Sequence, residues 1–422
     1  MHVPDMSSTQ LRLAVLSDLH YDRVTDTDPC RPITARNGVA GDPMHGLLQL
    51  VKQSSSGSPA ELLSADYLLC AGDITNRASP DGFDEGWRQL KELQAALGAK
   101  HLLAVTGNHE VNSRASERDN QAGNSEQALD PLSVIQKQVD YPSTAFTNDG
   151  DRWIYWGRGY QIVEQPNALF LLINSSHFHP TTRPNEFERG RVGDVALQLL
   201  REELKARVSK GKSRAFVALM HHHPIPHQPL GLVEDRTNMY NGAQLMEALQ
   251  ETGVTWLVIH GHKHYARLIP SQGGMGSPMV FSAGSFGAFL DGDLALKMQQ
   301  QFYIIEMDVL DQSLQPKARA HIRALSWTGS GWSYNNAQRG GLPDRCGFHV
   351  PNFDLEEAID SVVNVFANED IPYLRWEEVL GRVPILRHLQ PADTRFLRGL
   401  MESKGLHSTW QDGDWLPTEV AR

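Results

Sequence analysis

Side chains able to bind metal recur in five short segments. They are Asp18-Leu19-His20, Gly72-Asp73, Gly107-Asn108-His109-Glu110, His221-His222-His223-Pro224 and Gly261-His262-Lys263-His264. Together they offer carboxylate oxygen, imidazole nitrogen and amide oxygen. That mixture suits borderline dications such as Mn, Fe or Zn, whereas an all-oxygen set would point to Mg or Ca. An isolated Asp-x-His in a loop is more often a solvated turn than a ligand pair, and Gly-Asp alone means nothing. The weight lies in where the segments fall.

Each segment follows directly on a short apolar run. Runs at 11–17, 66–71, 100–106, 215–220 and 255–260 precede the five, and 169–175, 279–283 and 302–308 share their character, while 318–327 alternates. Short runs that are apolar on both faces predict buried strands of a covered sheet. Helical spacing over 83–97, 194–210 and 239–251 predicts helices between them, with Asp194 as the expected N-cap of the second and Gly211 as its stop. Strands alternating with helices give an α/β class, a layered β-sheet core flanked by helices. Ligands of such sheets lie beyond the carboxyl ends of the strands, so segments spread from residue 18 to residue 264 can meet at one point. Pairs at i and i+2, Asp18 with His20 and His262 with His264, face one way if the backbone stays extended past the strand end. Gly72, Gly107 and Gly261 give room where backbone turns beside the ions.

Taken in order, Asp-x-His, Gly-Asp, Gly-Asn-His-Glu, a strand-end His and Gly-His-x-His resemble the complete signature of the calcineurin-like metallophosphoesterases, over roughly residues 11–310. The resemblance implies an αββα sandwich and two divalent ions (Mn, Fe or Zn). It implies one ion held by Asp18, His20, Asp73 and His264, and a second by Asp73, Asn108, His221 and His262, with the Asp73 carboxylate bridging. His221 is preferred to its neighbours as the first residue after its strand. His109 resembles the family's non-ligand histidine, which in its protonated form supports the leaving group, and Glu110 is expected to back the ligands or cap the next turn. Two dications about 3.5–4 Å apart bring the pKa of a shared water down to about 7, and the hydroxide attacks phosphorus in line. His177, His227 and His260 read as structural.

Within the family, Arg77 stands four residues after Asp73, where the protein phosphatases place a phosphate-binding arginine. Asn76, Val111, Asn112 and the Gly-His-x-His ending depart from that branch. Asn76 also occupies the place of the metal-binding tyrosine of purple acid phosphatases. His-His-His-Pro and Gly-His-Lys-His fit best the branch similar to bacterial cyclic-nucleotide phosphodiesterases. The expected substrate is a small phosphodiester or nucleotide-like phosphoester, contacted by Asn108, His222, His223 and Arg77. One alternative is a nuclease acting on DNA or RNA ends. Another is a phosphoesterase recruited to a protein partner by its C-terminal region.

Length and composition frame this reading. The 422 residues, 40% hydrophobic and 21% charged, allow one large domain with an appendage. The expected catalytic domain is 10–335, followed by a small acidic helical region, 351–422, with 13 acidic and 7 basic residues. A net charge of −11 gives no general reason to hold nucleic acid. No apolar run nears the roughly 18–20 residues of a membrane span. The start lacks the layout of a secretion signal. Cys30, Cys70 and Cys346 offer no disulfide framework, so a cytoplasmic protein is expected, with Cys70 a buried thiol. Segments 22–46 and 111–150 read as insertions, the second with an amphipathic piece at 132–139. In the C-terminal region a helix should open at Asp354 with Glu357 as capping partner. Its stripe of Leu355, Ile359, Val362, Val363 and Phe366 should pack on the core or form a homo-oligomer or partner interface.

Overall fold

The computed structural model describes residues 9–23, 30–32, 41–54, 63–111, 113, 137–179, 188–209, 211–227, 237–290, 292–334, 341–369, 371–411 and 413–422. Most of the 22–46 and 111–150 insertions, and most of the piece at 132–139, lie outside the described residues.

Two sheets make the core. In chain order, the first contains β1 (Gln10–Leu16), followed by a two-residue ladder outside the sheet, β2 (Tyr21–Asp22) with β3 (Arg31–Pro32), and then β4 (Tyr67–Cys70) and β5 (His101–Ala104). The second sheet is built from β6 (Tyr160–Glu164), β7 (Ala168–Ile173), β8 (Ala215–Leu219), β9 (Leu257–His260), β10 (Arg267–Pro270) and β11 (Met279–Ser282). The chain then returns to the first sheet with β12 (Gln301–Asp308), β13 (Ala318–Trp327), β14 (Trp332–Tyr334) and β15 (Cys346–Val350). Spatial order is β14-β13-β12-β1-β4-β5 in one, with β15 also on β13, and β10-β11-β9-β8-β7-β6 in the other. Centrally, β1, β4 and β5 run parallel, as do β7, β8, β9 and β11.

Side-chain alternation shows how the layers stack. Leu11, Leu13 and Val15 of β1 share one core with Val217, Leu219 and Ile259 of the opposite sheet. Ala14 and Leu16 face the other way, into a core with Trp87 and Leu90 of the helix Pro80–Ala96. Phe216 and Ala218 likewise turn outward, towards Leu200 and Leu245 of the helices Asp194–Val208 and Gly242–Gln250. The result is an αββα sandwich. Strands buried on both faces need apolar residues at every position, which is why they read as runs and not alternations.

Local signals behave unevenly. Ser79 caps Pro80–Ala96 by accepting from Gly82 N–H, with Pro80 in the first helical position. Asp194, by contrast, is the first helical residue and not the cap. Gly193 takes that place, and Asp194 Oδ1 accepts from Asn241 Nδ2 instead, tying two helices together. Cys30, Cys70 and Cys346 are free thiols, with Cys70 and Cys346 buried. Among the described residues no helix is long and apolar enough to cross a membrane.

The region after 351 is not only helical. Helices Leu355–Glu369, Trp376–Arg382 and Thr394–Ser403 join a three-stranded sheet of β16 (Tyr373–Arg375), β17 (His407–Thr409) and β18 (Glu419–Ala421). Asp354 Oδ1 accepts from the N–H groups of Glu356 and Glu357, as a capping residue does. Ile359, Val362 and Phe366 are buried among the region's own Trp376, Leu386, Leu397 and Val420, so the apolar stripe is covered within the chain. Just before it, β15 pairs with β13 and extends the first sheet past residue 335. Gly347 N–H of β15 then donates to Leu389 O, and His388 Nδ1 lies 3.0 Å from Ala320 O, seating the C-terminal region on that sheet.

Candidate metal centre

The carboxyl tips of β1, β4, β5, β8 and β9 meet along one rim, and backbone hydrogen bonds sew their loops together. Asp18 N–H donates to Gly72 O and His20 N–H to Asp73 O, both at 3.0 Å. Gly261 N–H donates to His221 O at 3.1 Å. Across the two sheets, His262 N–H reaches both oxygens of Asp18, at 3.2 and 3.1 Å.

The tips are not extended. Asp18, His20, Asp73, His262 and His264 all have left-handed φ, between 50° and 73°. The expectation that i and i+2 ligands converge through extended backbone is therefore replaced by a different device. Paired left-handed residues turn Asp18 with His20, and His262 with His264, towards the same point. Each such residue costs about 1–2 kcal/mol, and strain of this kind concentrates at functional sites. Two glycines are required by close approach. A Cβ on Gly107 would sit 2.1 Å from Asp73 Oδ1, and one on Gly261 would sit 1.9 Å from Ser17 Oγ.

Asp73 is the hub. Its Oδ2 lies 3.1 Å from His221 Nε2 and 3.8 Å from His20 Nε2. On one side, Asp18 Oδ1 is 3.2 Å from His264 Nε2 and 3.8 Å from His20 Nε2. On the other, His221 Nε2 is 3.1 Å from Asn108 Oδ1. Three overlapping groups have their donor atoms within 4.8 Å of one another: Asp18-His20-His264, Asp18-Asp73-His221 and His221-His222-His262. The fit to cations is tested by His20. Its Nε2 is buried without a hydrogen-bond partner, yet faces two carboxylates at a distance too long for a hydrogen bond. Donors on one ion at about 2.0–2.2 Å stand that far apart.

Asp18 and Asp73 are buried, and neither has an arginine or lysine partner among the described ion pairs. Burial pushes both carboxyls up, but His264 beside Asp18 and His221 beside Asp73 prevail and hold both well below the usual range. They are therefore anionic and available to a cation.

Supporting groups fix the donors. His20 Nδ1 lies 3.4 Å from Asn76 Oδ1, and Asn76 Nδ2 donates to Asp22 Oδ2. Donation from Nδ1–H leaves Nε2 as the lone pair. Glu110 is fully buried and ties two loops together. Its Oε2 accepts from Asp73 and Gly107 N–H, its Oε1 from Thr75 N–H. Burial and the charge of Asp73 push its carboxyl up to about 7. His109 Nδ1 accepts from Arg77 N–H at 2.9 Å, which leaves the proton on Nε2. Burial pushes that ring down to about 4 against the pull of Asp73, which favours the neutral form donating from Nε2 over the imidazolium expected from sequence.

The remaining candidates divide. Arg77 has an exposed side chain beside His109, at the lip of the rim. His222 and His223 are fully buried and reach no open surface. His223 stacks on His262 at 5.8 Å and 16°, and His227 and His260 pack around it, as expected of structural histidines. His177 is half-buried, its ring against that of Phe178. One contributor was missed: Ser175, at the tip of β7, whose Oγ lies 2.8 Å from His222 Nδ1. Its signal was present, since Asn174-Ser175 is a polar pair placed straight after an apolar strand like the other five segments.

Buried carboxylates and imidazoles converging at parallel strand tips of an αββα sandwich define the chain as a candidate metallohydrolase. The calcineurin-like phosphoesterase family model matches residues 11–266, and the chain belongs to that family. No curated protein matches the chain. Among solved structures it is similar to the purple acid phosphatase PPD1 from seeds of yellow lupin (Lupinus luteus), at 14% identity and a TM-score of 0.43, over 75% of this chain and 52% of that one. It is also similar to the Thermus thermophilus sulfate thiohydrolase SoxB in complex with glycerol, at 13% identity and a TM-score of 0.36, over 75% of this chain and 56% of that one. The chain thus spans about half the length of those two proteins.

Proposed function

We propose that the protein hydrolyses a small phosphodiester or nucleotide-like phosphoester at a two-cation centre. The observation that carries this reading is Asp73, a buried carboxylate shared between the Asp18-His20-His264 group and His221. Asp18, His20, Asp73 and His264 would hold one divalent cation, and Asp73, Asn108, His221 and His262 the other. Bound there, the cations supply Lewis acidity towards phosphoryl oxygen and a water that is nucleophilic at neutral pH.

The chain's own residues do the rest. Asp73 fixes the spacing of the two halves, and Glu110 fixes Asp73 through its backbone N–H. His109, its proton held on Nε2 by Arg77 N–H, donates a hydrogen bond to the departing oxygen. The Arg77 guanidinium, exposed at the lip, supplies positive charge for a second phosphate oxygen. The wider acidity of the chain favours a small substrate over a polynucleotide.

Purified protein loaded with manganese should cleave bis-p-nitrophenyl phosphate and stop in chelator. A panel of cyclic nucleotides, linear dinucleotides, single-stranded DNA and phosphopeptide then separates the substrate classes. Metal-replete protein inert on every phosphoester would overturn the reading.

A further inference from the structure

The three adjacent histidines after β8 leave one group unexplained. His222 is fully buried, and its Nε2 has no hydrogen-bond partner. On the other side of the ring, Nδ1 lies 2.8 Å from Ser175 Oγ, which also accepts from His222 N–H at 3.1 Å. A neutral imidazole donating Nδ1–H to that oxygen presents a lone pair at Nε2, the arrangement of a ligating histidine braced from behind. Gly190 completes the brace. A Cβ there would lie 2.6 Å from His222 Cγ and Nδ1, so the backbone at Gly190 packs directly on the ring.

Ring geometry distinguishes His222 from its neighbour. Imidazoles sharing one ion, with metal–nitrogen bonds of about 2.0–2.1 Å and angles of about 90–110°, place their ring centres about 4.5–5.2 Å apart. His222 and His262 are 4.6 Å apart, His221 and His222 4.9 Å, and His221 and His262 5.1 Å, none of them parallel. All three spacings fall inside that window. His223 stands 5.8 Å from His262 with its ring nearly parallel, and stacked rings cannot aim their nitrogens at one point.

We infer that His222 is a third imidazole ligand of the half built on His221 and His262, so that the two halves of the centre differ in kind. This rests on the two-cation reading and deepens it. The Asp18 half has two carboxylates and two imidazoles. The His222 half has three imidazoles with Asn108 and a share of Asp73. Nitrogen-rich donors favour zinc over manganese, and carboxylate-rich donors narrow that gap. The His222 half is thus the position that retains zinc most tightly.

The test is competitive zinc titration of the full chain against a chromophoric chelator, with Co(II) absorption as a reporter of coordination number. Wild type should take two zinc ions. His222→Ala should weaken one of the two by at least about 100-fold and raise the Co(II) absorption intensity of that position as its coordination number falls. Ser175→Ala, which keeps the imidazole and removes its brace, should weaken the same ion by about 10–100-fold, and it provides the reading should His222→Ala fail to fold. His223→Ala should leave both affinities within about threefold. Unchanged zinc binding in both the His222 and Ser175 variants, or equal losses in His222→Ala and His223→Ala, would overturn the inference while leaving the two-cation centre standing. Wild type that binds no zinc, manganese or cobalt would overturn both.

Discussion

The rim of the sandwich and the C-terminal region are built on opposite terms. At the rim, the ligand-bearing residues Asp18, His20, Asp73, His262 and His264 hold left-handed φ, the carboxylates of Asp18, Asp73 and Glu110 are buried with no lysine or arginine partner among the described ion pairs, and the Nε2 atoms of His20 and His222 lack hydrogen-bond partners. In residues 351–422, the described positive φ values fall on Gly405 and Gly413 alone, and the interior is Ile359, Val362, Phe366, Leu386, Leu397, Met401 and their like. One region spends stability to keep polar groups poised for a ligand. The other supplies it by apolar burial. If that division is right, changes at the rim should move metal and turnover, and changes in the C-terminal interior should move stability alone.

Asp73→Ala tests the division hardest. Losing the shared carboxylate should cut turnover by at least about 10³-fold, or about 4 kcal/mol, and lower bound metal from two ions to one or none. Elemental analysis beside steady-state rates reads both. Two ions retained with turnover within tenfold of wild type would remove Asp73 from the hub. At the other pole, Phe366→Ala should cost the C-terminal region about 4 kcal/mol in urea unfolding, since a buried phenyl ring leaves both lost burial and a cavity. Metal content and turnover should hold steady below the transition. A matching fall in metal loading would show that the two regions are not separable.

The same division explains what could be read from sequence. Runs such as 66–71 and 215–220 announced β4 and β8 to within a residue or two, because strands covered on both faces have no polar positions to blur the pattern. The five polar segments were visible because their side chains interrupt those runs at the tips. What the sequence could not carry was conformation. Nothing in Asp-Leu-His declares two left-handed residues, since φ is imposed there by bonds to Gly72, Asp73 and Ser285 far along the chain. Burial of His222 was equally silent, for it depends on Ser175 and Gly190 closing over the ring from other loops. In the C-terminal region, β16, β17 and β18 have three residues each, too few for alternation to register. β15 was hidden by Gly347, which sits inside the strand because the backbone at Ala320, Arg387 and His388 leaves no room for a side chain.

His109→Gln sharpens the comparison from within the rim. His109 is placed at the reaction but not on an ion, so its loss should cost about 10²-fold to 10³-fold in turnover with two ions still bound. Loss of metal on this change would make it a ligand.

His388 lies where the two regions join, and acid should act on it before it acts on the apolar interior. Burial holds its ring down to about 4 from an ordinary 6.5, and Nδ1–H donates to Ala320 O across the joint. Above pH 6.5 the ring is neutral whether folded or unfolded, so its contribution to stability is complete. As pH falls below 6.5 the unfolded chain takes up the proton first and the folded state is penalised, progressively, until about pH 4, where both forms are charged and the loss levels off. The full shift corresponds to about 3 kcal/mol, and partial exposure of the ring brings the expected loss nearer 2 kcal/mol. Urea unfolding in chelator, compared at pH 7 and pH 4.5, should show that loss in wild type and not in His388→Gln, which keeps a donor without a titrating group. Equal acid sensitivity in both proteins would leave the joint indifferent to pH.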